Sequence, residues 1–167
     1  GSASSNIINT DTKALADNIK LNTDVIDEAA ADAAGVAILA NASVDVGVRA
    51  DVKRAISSLA GAVAVGSVAG VGAAVAYNEL GGMTQARLTG TDTDVFAKRL
   101  VVEAGAAGQG IKTIAAGIGA GGIAGGAASV AVNLMDGDVD AGIDSGAEVV
   151  ARDSLGVLAS QQQAVEV

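Results

Sequence analysis

Residues 56–78 read ISSLAGAVAVGSVAGVGAAVAYN, and residues 111–133 read IKTIAAGIGAGGIAGGAASVAVN. The two stretches align without a gap at an offset of 55, and nine of their 23 positions are identical. Ala and Gly are abundant enough to inflate chance identity, so Ile56/Ile111, Val75/Val130 and Asn78/Asn133 carry most of the weight. Each stretch then leads into an acidic-apolar signature. Asp94-Val95-Phe96 begins 16 residues after Asn78, and Glu148-Val149-Val150 begins 15 after Asn133. A long internal period of this kind is the mark of an array of stacked units.

A more degenerate copy opens the chain. Ile7-Ile8-Asn9 resembles Ala131-Val132-Asn133, and Thr23-Asp24-Val25-Ile26 supplies the acidic-apolar signature. Asp24 lies 70 residues before Asp94, whereas Asp94 lies 54 before Glu148, so this unit carries an insertion within residues 29–50. Variable spacing between persistent anchors suits a solenoid, in which insertions loop out of one coil. The reading is a single repetitive segment over residues 6–167, with units near 6–77, 78–132 and 133–167. Gly1-Ser2 has the look of a tag-cleavage scar, so residues 1–5 are read as a tag remnant or linker.

The period within a unit favours strand. Val44, Val46 and Val48 alternate with polar or small residues, as do Val130 and Val132, and Val139, Ala141 and Ile143. Alternation of this kind reads as half-buried strand. Turn residues fall between the runs at 9–11, at Gly81-Gly82, at Thr89-Gly90-Thr91-Asp92 and at Asp136-Gly137-Asp138. A competing helical spacing exists: Ile56, Leu59 and Val63, with Ile111, Ile114 and Ile118, fall at i, i+3 and i+7. Gly recurs at about every fourth position of these blocks, each costing a helix about 1 kcal/mol relative to Ala, so strand is preferred. Residues 12–20 and 27–40, rich in Ala, Leu, Lys and Asp, are also compatible with helix turns, and a short helical insertion is expected over residues 27–40. The predicted fold class is all-β: a right-handed β-helix (β-solenoid) segment built from degenerate repeats.

Composition agrees with this reading. Ala and Gly make up 37 and 23 of the 167 residues, and Pro is absent. Strands in a stacked sheet lie ~4.8 Å apart, so interior rows of Val, Ile, Ala and Gly pack without strain, and small residues let facing walls approach. Pro would delete ladder hydrogen bonds. The competing architecture is a membrane-associated Ala/Gly-zipper helical protein, since residues 55–78 and 113–135 carry no charge and hold GxxxG-like spacings. Few Leu, Ile or Phe are present there to drive partitioning, so a membrane partner is disfavoured.

The same counts exclude most chemistry. With no His and no Cys there is no imidazole base, no thiol nucleophile, and no usual transition-metal centre. The net charge of −9 and the scarcity of aromatic residues argue against nucleic acid. Asp136-Gly137-Asp138-Val139-Asp140-Ala141-Gly142-Ile143-Asp144 invites comparison with a calcium loop, which would make the chain a calcium-dependent surface module. The sixth and twelfth positions, however, are Ala141 and Ala147 in place of Gly and Glu. The Gly-rich run at 117–126 lacks the Lys of a phosphate loop. Paired acids at Asp27/Glu28 and Asp92/Asp94 read as solvated. No catalytic, cofactor-binding or metal-binding residue is nominated, no cofactor is expected, and the chain is read as no enzyme.

One family shares this layout. Gly126 to Asn133 with Ala141 to Asp144 and Glu148 to Ala151, and earlier Gly72 to Asn78 with Ala86 to Leu88 and Asp94 to Ala97, resemble repeats of filamentous-haemagglutinin-like and leukotoxin-type filamentous adhesins, the large secreted exoproteins of Gram-negative bacteria. That resemblance implies a β-helix shaft displayed at the bacterial cell surface, a role in cell adhesion and virulence, and an extracellular location. The expected partners are neighbouring repeats of the full-length protein and a surface receptor, protein or glycan.

Overall fold

The computed structural model describes residues 1–21, 44–144 and 146–167. Among these residues the regular structure is all strand. The predicted helical segment at 27–40, and most of the predicted insertion, lie outside the described residues. The strands are β1 (Ser2–Asn9), β2 (Thr12–Asp17), β3 (Lys20–Leu21), β4 (Val46–Val52), β5 (Ala55–Gly66), β6 (Ala69–Thr89), β7 (Asp94–Gly121), β8 (Ala124–Ile143) and β9 (Glu148–Glu166).

They form two parallel sheets. In the first, β1 and β2 lie end to end along one edge of β6, and β8 lies along the other. In the second, β3, β4 and β5 follow one edge of β7, and β9 takes the opposite edge. Consecutive strands therefore alternate between sheets as the chain passes from β6 to β7 to β8 to β9. The repeat read from the sequence is the pairing register itself. Ile56 faces Ile111 across the β5–β7 ladder, while Val75 faces Val130 and Asn78 faces Asn133 across β6–β8. Identical residues at equal offsets become Cα neighbours, so packing that suits one pass suits the next.

The degenerate first copy is shifted from its predicted alignment. Asn6, not Asn9, stands beside Asn78, and Asn9 stands beside Gly81. Two predicted turns are also corrected. Gly81-Gly82 and Asp136-Gly137-Asp138 lie inside β6 and β8, paired with each other in register. Gly82 takes a φ of 115°, which lets the strand bend there without leaving the ladder, and Asp11 accepts a hydrogen bond from the Met83 amide at the bend. The turn at 90–93 is real, closed by the Thr93 amide on the Gly90 carbonyl, and Gly90 has a φ of 100°.

The space between the sheets tapers. Near the 90–93 turn it holds Leu88, Val95, Leu100 and Val102 with Ala50, Ala86, Ala97 and Ala104. Further along it holds Ile56, Leu80 and Ile111, then only Ala60, Ala62, Ala74 and Ala76. Last come glycines. A methyl group on Gly72 would overlap the Ile118 carbonyl of the facing sheet, and one on Gly119 would overlap that of Gly126. The sheets meet there backbone against backbone.

Small residues let the walls approach as composition suggests, but Val and Ile do not share the interior rows everywhere. At the narrow end they point outward instead: Leu59, Val63, Val65, Val71, Val75, Ile118 and Val130 are exposed, while the Ala and Gly between them face inward. Of the predicted alternations, Val46 and Val48, and Val139, Ala141 and Ile143, pack inward on the wide-end core, whereas Val130 and Val132 face outward.

Candidate functional site

Three features of the two sheets could carry function: an inner polar row, an outer lattice of charges, and the apolar outer surface of the narrow end.

The inner row is built by the repeat. Asn78 is fully buried in β6, and Asn6 and Asn133 flank it in β1 and β8. Asn6 donates its amide to the Asn78 carbonyl oxygen at 2.9 Å, and Asn78 donates in the same direction to Asn133 at 2.9 Å. Thr113, on the facing sheet, accepts from Asn78 at 2.8 Å and donates to Asn133 at 2.7 Å, tying the two walls together. A buried amide is tolerated when its donors and acceptors are met, and a column of identical amides one strand apart meets them by repetition. We expect Asn78→Ala to lower stability by about 1–3 kcal/mol, because Thr113 and Asn133 keep their burial and lose a partner. Thermal or urea unfolding of the variant checks this.

The outer charges pair across neighbouring strands. Arg87 in β6 binds Asp140 in β8, with Nε to Oδ2 at 2.7 Å and Nη2 at 2.6 Å, and Nη1 reaches Asp144. Gln85 also donates to Asp140 at 2.9 Å. Arg99 clamps Asp45 with Nε and Nη2, Arg49 pairs with Glu103 at 3.3 Å, and Lys112 with Glu166 at 3.1 Å. This lattice is not among the features expected from the sequence, although opposite charges recur 53 or 54 residues apart in Arg87/Asp140 and Arg99/Asp45.

These bonds act on proton affinity. The Gln85 amide, then the Arg87 guanidinium, hold Asp140 below the usual aspartate range, and Arg99 does the same for Asp45. A carboxylate with a depressed folded-state pKa contributes stability that is present above its unfolded value and is lost as pH falls through the folded value. The melting temperature should therefore be level above about pH 5 and fall from about pH 4 downward. Asp140→Asn should flatten part of that acid limb and cost little at neutral pH, because the Arg87–Asp140 pair is partly screened by water. A pH series of thermal melts tests both statements.

The acidic run at 136–144 is not a loop. Its residues up to Ile143 belong to β8, where Asp136, Asp138 and Asp140 point outward along the strand. Asp140 and Asp144 are already engaged by Arg87, and among the described residues no three acidic side chains converge as a metal would require. Of the paired acids, Asp94 binds Lys20 at 3.1 Å, the Asp92 amide donates to the Asn18 side chain, and Asp27/Glu28 lie outside the described residues. In the Gly-rich run at 117–126, Gly117, Gly119 and Gly125 lie where the two walls touch. Gly117 has room for no methyl group, since the Ala128 carbonyl would lie 2.6 Å away.

The outer surface of the narrow end is apolar on both walls. Val65 is 80% exposed and Ile118 58%, and the connections at its tip add Val68 and Ile123. These residues sit in the uncharged stretches 55–78 and 113–135 that suggested membrane helices. Here the described residues are strand, and no helix among them is long and apolar enough to cross a membrane. That leaves the helical zipper without its helices.

No protein-family model, curated protein or solved structure matches the chain.

Proposed function

We propose that this chain is a structural repeat segment of an extracellular adhesin. Its two sheets belong to a right-handed β-helix, a single repetitive segment that stacks on neighbouring repeats, and it has no enzymatic activity. One observation carries the reading: of the residues that resemble filamentous-adhesin repeats, Gly72 to Asn78 pair in register with Ala127 to Asn133 of the Gly126 to Asn133 stretch. The motif thus behaves as a stacking unit, which is what a shaft requires. Adhesion then belongs to the assembled filament, whose partner is a surface receptor, protein or glycan, and the location is the bacterial cell surface.

Antibodies raised against the chain test the location. Labelling of intact cells that make the protein is the expected result. Labelling that appears only after permeabilisation would overturn it. For the role itself, beads coated with the chain should adhere saturably to host cells or matrix; adhesion no better than that of albumin-coated beads removes the chain as an adhesive element.

A second reading, membrane association, is favoured by the apolar outer surface of the narrow end. Flotation of the purified chain with phosphatidylcholine vesicles supports it, and failure to float removes it.

A further inference from the structure

We propose that the stack extends by head-to-tail docking of a second copy of this chain, with the edge of β8 and β9 that pairs with no described strand receiving the corresponding edge of β1 to β5. The inference rests on the stacked-repeat reading above.

The inner amide column points to the occupant. Each of its bonds runs one way, from Asn6 to Asn78 and from Asn78 to Asn133. At the end of the column the Asn133 Nδ2 is shielded from water and has no partner among the described residues. At the start, among the described residues, none donates to the Asn6 Oδ1. The unmet donor of one end is the complement of the open acceptor of the other.

The register carries the match along both sheets. Asn6 and Asn133 both pair with Asn78, on opposite edges, so a copy docked with the same spacing sets its Asn6 against Asn133. The same transfer places Ala14 on Ala141, Val48 on Val157, Ala50 on Ala159 and Ile56 on Val165. Apolar rows meet apolar rows. Charge agrees as well, since Lys13 falls beside Asp140 and Lys20 beside Glu148. Edges of parallel sheets with unpaired backbone groups are templates for another strand, and a contact between unlike ends continues without closing.

A second unmet group sits at the β1–β5 end. Arg54 is buried, its Nη2 donates to the Thr10 carbonyl, and its Nε has no partner among the described residues. It directly precedes Ala55, whose row runs through Gly110 to Ala164, so docking brings the Gln163 of the second copy into its row.

The test uses cysteine pairing and sedimentation, and the chain has no cysteine to interfere. Ser5 and Val132 face outward in the row of Tyr77. Within one molecule the β6 strand separates them by about 9–10 Å, beyond the ~7 Å reach of a disulfide. S5C/V132C should give a ladder of disulfide-linked dimers, trimers and larger species under mild oxidation, and neither single variant should give that ladder. Sedimentation velocity of the unmodified chain should show mass rising with concentration and with salt, because salt screens the net charge of −9 that opposes association.

Asn133→Asp separates docking from folding. The carboxylate still accepts from Asn78 and Thr113, and it has no donor to offer Asn6 of the second copy. It should keep the far-UV circular dichroism of the parent and lose at least tenfold in association constant. A monomer at every concentration, or association unchanged by N133D, overturns the proposal. A monomer with a β-sheet spectrum does so while leaving the stacked-repeat reading intact, whereas a monomer without one removes both.

Discussion

Leu100→Ala should destabilise the protein by about 2–5 kcal/mol, the range for truncating a fully buried leucine that leaves a cavity behind. Leu100 is 0% exposed and packs among Leu88, Val95 and Val102 at the wide end of the space between the sheets. The informative control is Val63, an aliphatic residue of the same strand-rich pattern that is 72% exposed. Val63→Ser should change stability by no more than about 0.5 kcal/mol, as surface substitutions do. Urea unfolding of the two variants measures the difference directly. Equal losses at both positions would mean that the inside and outside of the narrow end have been assigned the wrong way round.

Gly72→Val should be at least as damaging, for the opposite reason. Leu100 fails by leaving space, and Gly72 by having none. Its position offers no room for even a methyl group against the Ile118 carbonyl, and the obstacle is backbone rather than a side chain that could turn aside. Overpacking a dense interior costs about 1–3 kcal/mol, and more where the backbone itself must move. Neighbouring Ala73 points outward, so Ala73→Val is the matched control and should be nearly neutral. Loss of the cooperative thermal transition in G72V alone is the expected result. Comparable transitions in both variants would show that the walls stand further apart than described.

Some of the site was legible in advance. Asn78 and Asn133 stood out as an identity that Ala and Gly abundance does not explain, and they proved to be Cα neighbours in a hydrogen-bonded column. The charge lattice was equally available, in principle, from opposite charges 53 or 54 residues apart. Thr113 was not, because its contact with Asn78 crosses between sheets, and no repeat spacing reports which residues face one another across an interior. The misplaced turns at Gly81-Gly82 and at 136–138 have a related cause. Glycine permits a turn, but the β6–β8 ladder runs unbroken through both segments and holds them in strand.

By itself, the sequence determined that the described chain is strand and that its units stack at an offset near 55, since periodicity and identity are properties of the chain alone. It also determined how little catalytic chemistry is available, because His and Cys are absent. Only the tertiary structure decided which face of each strand lies inside. An alternating pattern is the same read from either side, and burial of the larger residue is the usual way to choose. At the narrow end that choice fails. Two backbones pressed together through Gly70, Gly72 and Gly119 leave no volume for Val or Ile, so the larger side chains are driven to the surface and the smaller ones define the interior.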